Sequence, residues 1–322
     1  MADMKTAAVQ TRTTGRTAEQ NAGAVLMIRP YRFYPNPETA ADNAFQQSVA
    51  TSELPEISIR ARREFDVAVG RLRDAGVTVH VVDDTATPEK PDAVFPNNWL
   101  STHHDGRVVL YPMYSAARRR ERRQDVIDEL RKHYRVTAVV DYSAGEEQGH
   151  CLEGTGSLVL DHANRIAYAS LSQRTHPEPL RRFCDDFGYE PVTFRSVSES
   201  GQPIYHTNVM MCIGSEFALV GLDSIPDAVE CKTLRERLKS SGREIIELTQ
   251  KQIANFAGNA IELSNGREKL LVMSNRGIAS LSKEQRATIE RSARLLPLTL
   301  PTIELAGGSA RCMLATIHLP PR

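Results

Sequence analysis

The sequence predicts an α/β fold arranged as a five-module, pseudo-symmetric α/β propeller, and three observations carry that expectation. A strand–helix–strand unit returns about five times along the 322 residues, without sequence identity between copies, and such a unit buries its apolar face by stacking on its neighbours. Strand-to-strand steps, such as 157–160 to 166–170, interrupt the alternation, which a strictly parallel sheet lacks. The glycine-rich phosphate turns expected of the main rival, a doubly wound sheet, are absent: there is no Gly-x-Gly-x-x-Gly and no Gly-Lys-Ser/Thr loop. In a closed propeller the modules converge on an axis, so residues far apart in sequence can share one site.

The elements follow in order. Residues 24–30 (Ala-Val-Leu-Met-Ile-Arg-Pro) form a short apolar run stopped by proline and read as a buried strand. Asn36, Pro37 and Asn43 belong to a loop. Across 56–75, Ile59, Phe65, Val69 and Leu72 recur at helical spacing among charges; Gly76 caps that helix, and 77–82 is the next strand. The unit repeats as strand 107–111, helix 116–133 and strand 136–140. It repeats again as strands 157–160 and 166–170, helix 178–187 and strand 190–192. The fourth copy is strand 217–222, helix 227–240 and strand 244–248; the fifth is strand 269–273, helix 283–292 and strand 298–303. Linkers are short and no Pro/Ser-rich hinge divides them, so residues 23–322 are expected to form one catalytic domain. Residues 1–22, rich in Thr, Ala and Gln and lacking an apolar core, read as a disordered N-terminal tail and not a signal peptide.

Forty basic and forty acidic residues give a formal net charge of zero, so nothing global points to nucleic acid or an anionic membrane. No apolar run is long enough to span a bilayer. Five cysteines, 151, 184, 212, 231 and 312, are an odd, widely spaced set without a Cys-x-x-Cys pair. That spacing speaks against a zinc site or a disulfide framework and for a reducing, cytoplasmic compartment. The partner expected is a small molecule; the sequence leaves open whether the chain forms homo-oligomers.

Four stretches are polar, rich in Gly or Asn, and placed at strand ends. Pro91-Asp92-Ala93-Val94-Phe95-Pro96-Asn97-Asn98-Trp99 holds one acid, two amides and the single Trp; a plain turn is its structural alternative. Cys151-Leu152-Glu153-Gly154-Thr155-Gly156 places a carboxylate at the entry to a strand, where a buried acid fits better than turn chemistry. Tyr205-His206-Thr207-Asn208-Val209-Met210 sets a histidine at the head of an apolar strand, where a hydrogen-bonded core histidine is the bland alternative. Gly307-Gly308-Ser309-Ala310-Arg311-Cys312-Met313 delivers a thiol through a flexible turn to the mouth of a strand, against the alternative of a buried structural cysteine. Together they supply a thiol, an imidazole and two carboxylates, the parts of nucleophilic catalysis with acid–base help.

These segments resemble the guanidino-group modifying superfamily of dimethylarginine dimethylaminohydrolases, arginine deiminases and amidinotransferases. Pro91-Asp92-x-Val94-Phe95 resembles the Pro-Asp-x-Val-Phe segment, and Leu152-Glu153-Gly154 the element that carries a catalytic acid. Leu171-Ser172-Gln173-Arg174-Thr175 and Arg118-Arg119-Arg120-Glu121 resemble elements whose arginines hold a substrate α-carboxylate. Phe-Pro-Asn-Asn-Trp, His-Thr-Asn-Val-Met and Gly-Ser-Ala-Arg-Cys-Met together are most similar to the citrulline-utilisation hydrolase group. The resemblance implies the five-module propeller called a pentein, no cofactor and no metal. It also implies Cys312 as nucleophile, His206 as acid–base and Glu153 as catalytic acid, with Asp92, Asn97, Asn98, Arg118, Arg174 and Asn208 on the substrate.

Where dimethylargininases carry Glu-Asp, this chain has Asn97-Asn98; where arginine deiminases have His-x-Asp, it has His206-Thr207-Asn208. Every N–H of a guanidinium donates, which suits carboxylates, whereas an amide can also donate to a carbonyl oxygen. The exchange fits a neutral ureido group, so the expected reaction is hydrolysis of citrulline to ornithine, ammonia and carbon dioxide. The alternatives are arginine or a methylated arginine on the same machinery, and a non-catalytic propeller that only binds.

Overall fold

A computed structural model describes residues 19–322. One plan is repeated in five three-stranded sheets. In each, a middle strand pairs antiparallel with one neighbour and parallel with the other, and the parallel step is crossed by a helix. The first sheet joins both ends of the chain: β1 (Ala24–Arg29) lies between β15 (Ala315–Ile317) and β2 (Thr78–Asp83), with helix α1 (Leu54–Asp74) as the crossover. The second holds β3 (Leu100–Thr102), β4 (Arg107–Leu110) and β5 (Ala138–Asp141), crossed by α2 (Gln124–His133). The third holds β6 (Val159–Asp161), β7 (Ile166–Ser170) and β8 (Glu190–Phe194), crossed by α3 (Pro177–Phe187). The fourth holds β9 (Met211–Ile213), β10 (Phe217–Val220) and β11 (Glu244–Glu247), crossed by α4 (Ala228–Ser240). The fifth holds β12 (Ile261–Ser264), β13 (Lys269–Ser274) and β14 (Arg294–Leu298), crossed by α5 (Lys283–Glu290).

The sequence explains why these segments pack this way. The middle strands are almost continuous apolar runs, as sheets covered on both faces require. In α1 the buried side chains Ile57, Ala61, Phe65, Ala68, Val69 and Leu72 return every three or four residues, giving one apolar stripe against the first sheet. In α3 the buried stripe is Leu180, Phe183, Cys184 and Phe187, and Gly188 ends the helix at φ 66°. Each fully buried Phe or Leu contributes about 1.5–3 kcal/mol. No helix among the described residues is long and apolar enough to cross a membrane.

Three expectations shift. The helix expected over 116–133 is broken into Ala116–Arg119 and α2, because Arg118 turns inward to pair with Glu121 and Arg122 turns to Glu146. The last parallel strand runs Arg294–Leu298 and not 298–303, a stretch that passes Pro301 and ends where the turn Ile303–Ala306 begins. Cys312, Glu153 and His206 do not open strands directly: a short helical turn follows Glu153 and His206, and Cys312 lies within the one before its strand. Of the tail expected over 1–22, residues 1–18 lie outside the described residues. Its end is held: Gln20 donates to Leu160 O, Asn21 to Ser215 Oγ, and Ala22 bridges to Leu263.

Candidate active site

The antiparallel first strand of every sheet is preceded by a short turn. These turns are Pro96–Asn98 before β3, Gly154–Ser157 before β6, Thr207–Met210 before β9, residues 255–258 before β12 and Ala310–Met313 before β15. The four polar stretches singled out in the sequence occupy four of these five equivalent places. The fourth place in chain order holds Asn259, which the sequence reading passed over. Its signal was present in Gly258-Asn259-Ala260, a glycine–amide pair entering β12 as Asn98, Glu153 and His206 lead into their strands.

Close approach of these turns depends on glycine. Gly154 sits at φ 47°, and a Cβ there would lie 2.4 Å from Asn97 O; a Cβ on Gly156 would lie 2.4 Å from Asn98 Nδ2 and 2.7 Å from His206 Nδ1. Both positions therefore demand the residue without a side chain.

A small cavity of about 20 Å³ gathers Asp92, Asn98, Arg118, Arg174, His206 and Cys312, together with Thr39, Asn43 and Tyr205. His206 Nε2 lies 2.7 Å from Glu153 Oε2, and both side chains are buried. Glu153 Oε1 accepts the Tyr114 amide at 2.9 Å, which fixes the carboxylate. Arg174 Nη1 and Arg118 Nη1 stand 3.6 and 3.9 Å from Glu153 Oε2. Burial alone would raise the Glu153 carboxyl, but Arg174, His206 and Arg118 outweigh it and bring it down to about 2. Burial lowers the His206 imidazole, opposed by Glu153, so neutral imidazole is the favoured form near pH 7.

Cys312 Sγ is the acceptor of two amides: Asn259 Nδ2 at 3.2 Å and Asn208 Nδ2 at 3.5 Å. Asn259 also donates to Asn208 O and accepts the Arg311 amide, so it ties three loops together. Both amides present N–H groups to the sulfur. Asn208, expected on the substrate, thus touches the sulfur.

The two arginines are already engaged. Arg118 gives Nε and Nη2 to Glu121, both at 2.9 Å, and Nη1 to Asn98 Oδ1 at 2.7 Å. It lies 3.8 Å from Asp92 Oδ2. Arg174 forks onto Asp42 with two 2.7 Å bonds and stacks over the Tyr205 ring. Asp42 lies in a loop that covers the cavity: Asn36 donates to Asp92 Oδ2 at 2.9 Å, and Asn43 donates to Ala306 O. The sequence marked Asn36 and Asn43 only as loop residues and did not single out Asp42. Burial pushes the Asp92 carboxyl up, and pushes Glu121 up to about 7 despite Arg118.

The two asparagines part company. Asn98 Oδ1 is held by Arg118, and its Nδ2, buried at the cavity wall, has no hydrogen-bond partner among the described residues. Asn97 turns away and donates to Thr155 Oγ1 at 3.3 Å.

A family profile described as N,N dimethylarginine dimethylhydrolase, eukaryotic, matches residues 29–319. The chain belongs to that family. With it the chain joins the guanidino-modifying penteins, hydrolases of C–N bonds. Solved structures share the fold. The N-terminal domain of ArgZ, covalently bound to a reaction intermediate, superposes with a TM-score of 0.71 at 19% identity, covering 92% of this chain and 99% of that one. ArgZ is described as an arginine dihydrolase from the ornithine–ammonia cycle in Cyanobacteria. AgrE without ligand gives 0.72 at 18% identity, covering 93% of this chain and 40% of AgrE. A dimethylarginine dimethylaminohydrolase variant bearing an S-methyl-L-thiocitrulline adduct gives 0.62 at 14% identity, covering 92% and 99%. No curated protein matches the sequence.

Proposed function

We propose that the protein is a cysteine-dependent C–N hydrolase that cleaves the ureido group of citrulline. One observation carries the choice of substrate: Asn98, in the cavity lining, keeps its amide oxygen on Arg118 and is left with a buried NH2 that has no hydrogen-bond partner among the described residues. A donor fixed there suits a carbonyl oxygen and not a guanidinium, whose groups all donate.

Neutral His206 takes the Cys312 proton, and the thiolate, held by Asn259 and Asn208, attacks the ureido carbon. Asn98 stabilises the oxygen as it gains charge, while Asp92 and Glu153 hold the N–H groups. His206 returns its proton to the nitrogen that leaves, giving a carbamoyl-type thioester on Cys312. Water, deprotonated by His206, then cleaves that bond and regenerates the thiol. One citrulline and one water thus give ornithine, ammonia and carbon dioxide. Arg174 receives the substrate carboxylate in exchange for Asp42, and Arg118 positions Asn98 and supplies positive charge beside Asp92 and Glu153. No step in this scheme calls for a cofactor or metal. The same reading takes the five sheets as blades of a closed pentein propeller in one domain from residue 23, in the cytoplasm. It is supported by β15 pairing with β1, by the Ala22–Leu263 bridge between first and fifth sheets, and by packing of β15 on β3 and β6 on β9.

A second reading is favoured by the acidic excess around the cavity, where Asp42, Asp92, Glu121 and Glu153 face only Arg118 and Arg174. That excess suits a cationic guanidinium, and arginine taken through two hydrolyses would pass citrulline as an intermediate. Turnover of citrulline, arginine and dimethylarginine, read as ornithine, citrulline and ammonia, separates these. Ornithine with one ammonia per citrulline is expected; conversion of arginine or dimethylarginine with citrulline untouched would overturn the proposal.

A further inference from the structure

Where the first sheet meets the helix of the second, three metal-ligating side chains converge outside the reaction cavity. Glu129 and His133 lie four apart on α2, so they share one face of the helix. That face meets His80 on β2, the edge strand of the first sheet: the rings of His80 and His133 are 4.6 Å apart and tilted by 42°. One ligating atom of each residue, a ring nitrogen from either histidine and a carboxylate oxygen from Glu129, lies within 4.8 Å of the other two.

Each of the three is held in place. Lys132 Nζ donates to Glu129 Oε2 at 2.7 Å, while Oε1 lies 3.2 Å from His133 Nε2. Tyr134 Oη lies 2.9 Å from His80 Nε2, and its ring stands edge-on to the imidazole. Two ligands on a tetrahedral zinc with bonds of about 2.0–2.1 Å are about 3.3–3.4 Å apart, a spacing that His133 and Glu129 already come close to. A surface ion pair explains Glu129 beside His133 but not the second imidazole, because two protonated rings at this distance repel. Burial, and then His133, lower the His80 imidazole, so it is neutral near pH 7, the form that ligates a metal. His133 is the exposed member, with 48% of its side chain open to solvent, so an ion has a way in.

We propose that His80, Glu129 and His133 bind a zinc ion, with water as the fourth ligand, bridging the first sheet to the helix over the second. Two imidazoles and a carboxylate suit zinc, whereas magnesium and calcium call for oxygen ligands. The set uses no cysteine, so the cysteine spacing does not bear on it. A second trio, His150, His176 and Glu178, is as close together. There, however, His176 Nδ1 accepts the Glu178 amide at 3.2 Å, which puts the proton of a neutral ring on Nε2 and leaves no lone pair for a metal.

Calorimetric titration with zinc tests the site without reference to turnover, on the full chain carrying Cys312→Ser so that the reactive thiol does not compete. One zinc per chain is expected, and magnesium should not bind. His80→Gln, Glu129→Gln and His133→Gln should each weaken zinc at least about tenfold. His176→Gln should leave it unchanged. Half-exposed His133 can be replaced without touching the core, so that variant decides should His80→Gln fail to fold. No saturable zinc binding, binding that keeps its strength in His133→Gln, loss of it in His176→Gln, or magnesium binding as tightly would each overturn the proposal.

Discussion

The two faces of the Ala310–Met313 turn handle buried charge in opposite ways. On the Cys312 face every charged group has a partner: His206 with Glu153, Arg118 with Glu121, Arg174 with Asp42, and Asp92 with Asn36. On the Arg311 face, Arg311, Glu262 and His318 keep unpaired atoms. Charged groups that are paired are held at fixed distances, which is what catalysis by preorganised charge requires. Of the adjacent residues Arg311 and Cys312, only Cys312 therefore stands among groups so held.

The largest expected effect separates these faces. Cys312→Ser should lower ornithine release by ~10³-fold or more, because a hydroxyl is far less acidic than a thiol. Glu262→Gln, across the turn, should keep turnover within about threefold. A serine variant with a tenth of the activity would remove Cys312 from the reaction. Alkylation followed by peptide mass spectrometry gives an independent check. Burial pushes the Cys151, Cys184 and Cys212 thiols up to about 12, so Cys312 should be labelled ahead of all three at pH 8.

Next comes the amino-acid end. Arg174→Ala should raise KM by ~10–100-fold for citrulline and leave a carboxylate-free ureido substrate nearly unaffected. Equal losses on both substrates would make Arg174 structural, the keeper of Asp42 and of the loop over the cavity.

A finer division runs within one turn. Asn98→Asp replaces the unpartnered amide donor of the cavity lining with a carboxylate, and should lower kcat/KM for citrulline by ~10-fold while raising the arginine-to-citrulline ratio. Asn97→Asp, whose side chain turns to Thr155, should hold the wild-type ratio within about twofold. If Asn97 moves the ratio and Asn98 does not, the assignment of the donor is reversed.

Much of this was legible in the sequence, and for a physical reason. The middle strands and crossover helices carry strong periodic patterns, so four of the five parallel strand pairs, and four of the five crossover helices, lie near their expected bounds; the exceptions are the strand expected over 298–303 and the helix expected over 116–133. The short antiparallel strands Leu100–Thr102, Met211–Ile213, Ile261–Ser264 and Ala315–Ile317 are too brief for periodicity to mark. Cys312, His206, Glu153, Asp92 and Asn98 were recognisable because their glycine- and amide-rich turns contrast with the strands they feed. Asn259 carried the same contrast more faintly. Asp42 was invisible, since an acid in a polar loop has no signature until the fold sets Arg174 opposite it. Likewise the engagement of Arg118 with Glu121 depends on a break in a helix that the charge pattern alone would continue.

The smallest expected effect concerns acid. Burial lowers the imidazoles of His103 and His318 to about 3 and that of His162 well below its usual value, and His162 and His318 lie with Arg311 around one small cavity. Unfolded, each would titrate near 6.5. Above pH 6.5 neither state holds the proton and their contribution to stability is fully present. As pH falls below 6.5 the unfolded chain takes up protons that the folded chain refuses, so stability is lost progressively until the folded values near 3 are reached. Glu153 acts in a different window: its carboxyl, down to about 2, contributes above the unfolded value near 4.5 and loses that contribution only as pH falls from there toward 2. Between pH 6.5 and 5, then, acid weakening comes from buried histidine, chiefly on the Arg311 face, with His206 the contributor on the other. Glu121 partly offsets it: its carboxyl, pushed up to about 7, is protonated in the folded chain before the unfolded one. Tm should fall by a few °C over that interval. His103→Gln combined with His318→Gln should flatten the fall, whereas Glu153→Gln, which removes the group that holds the His206 imidazole up, should not flatten it. A slope that survives the double histidine change and disappears with His206→Gln would move the acid sensitivity to the Cys312 face.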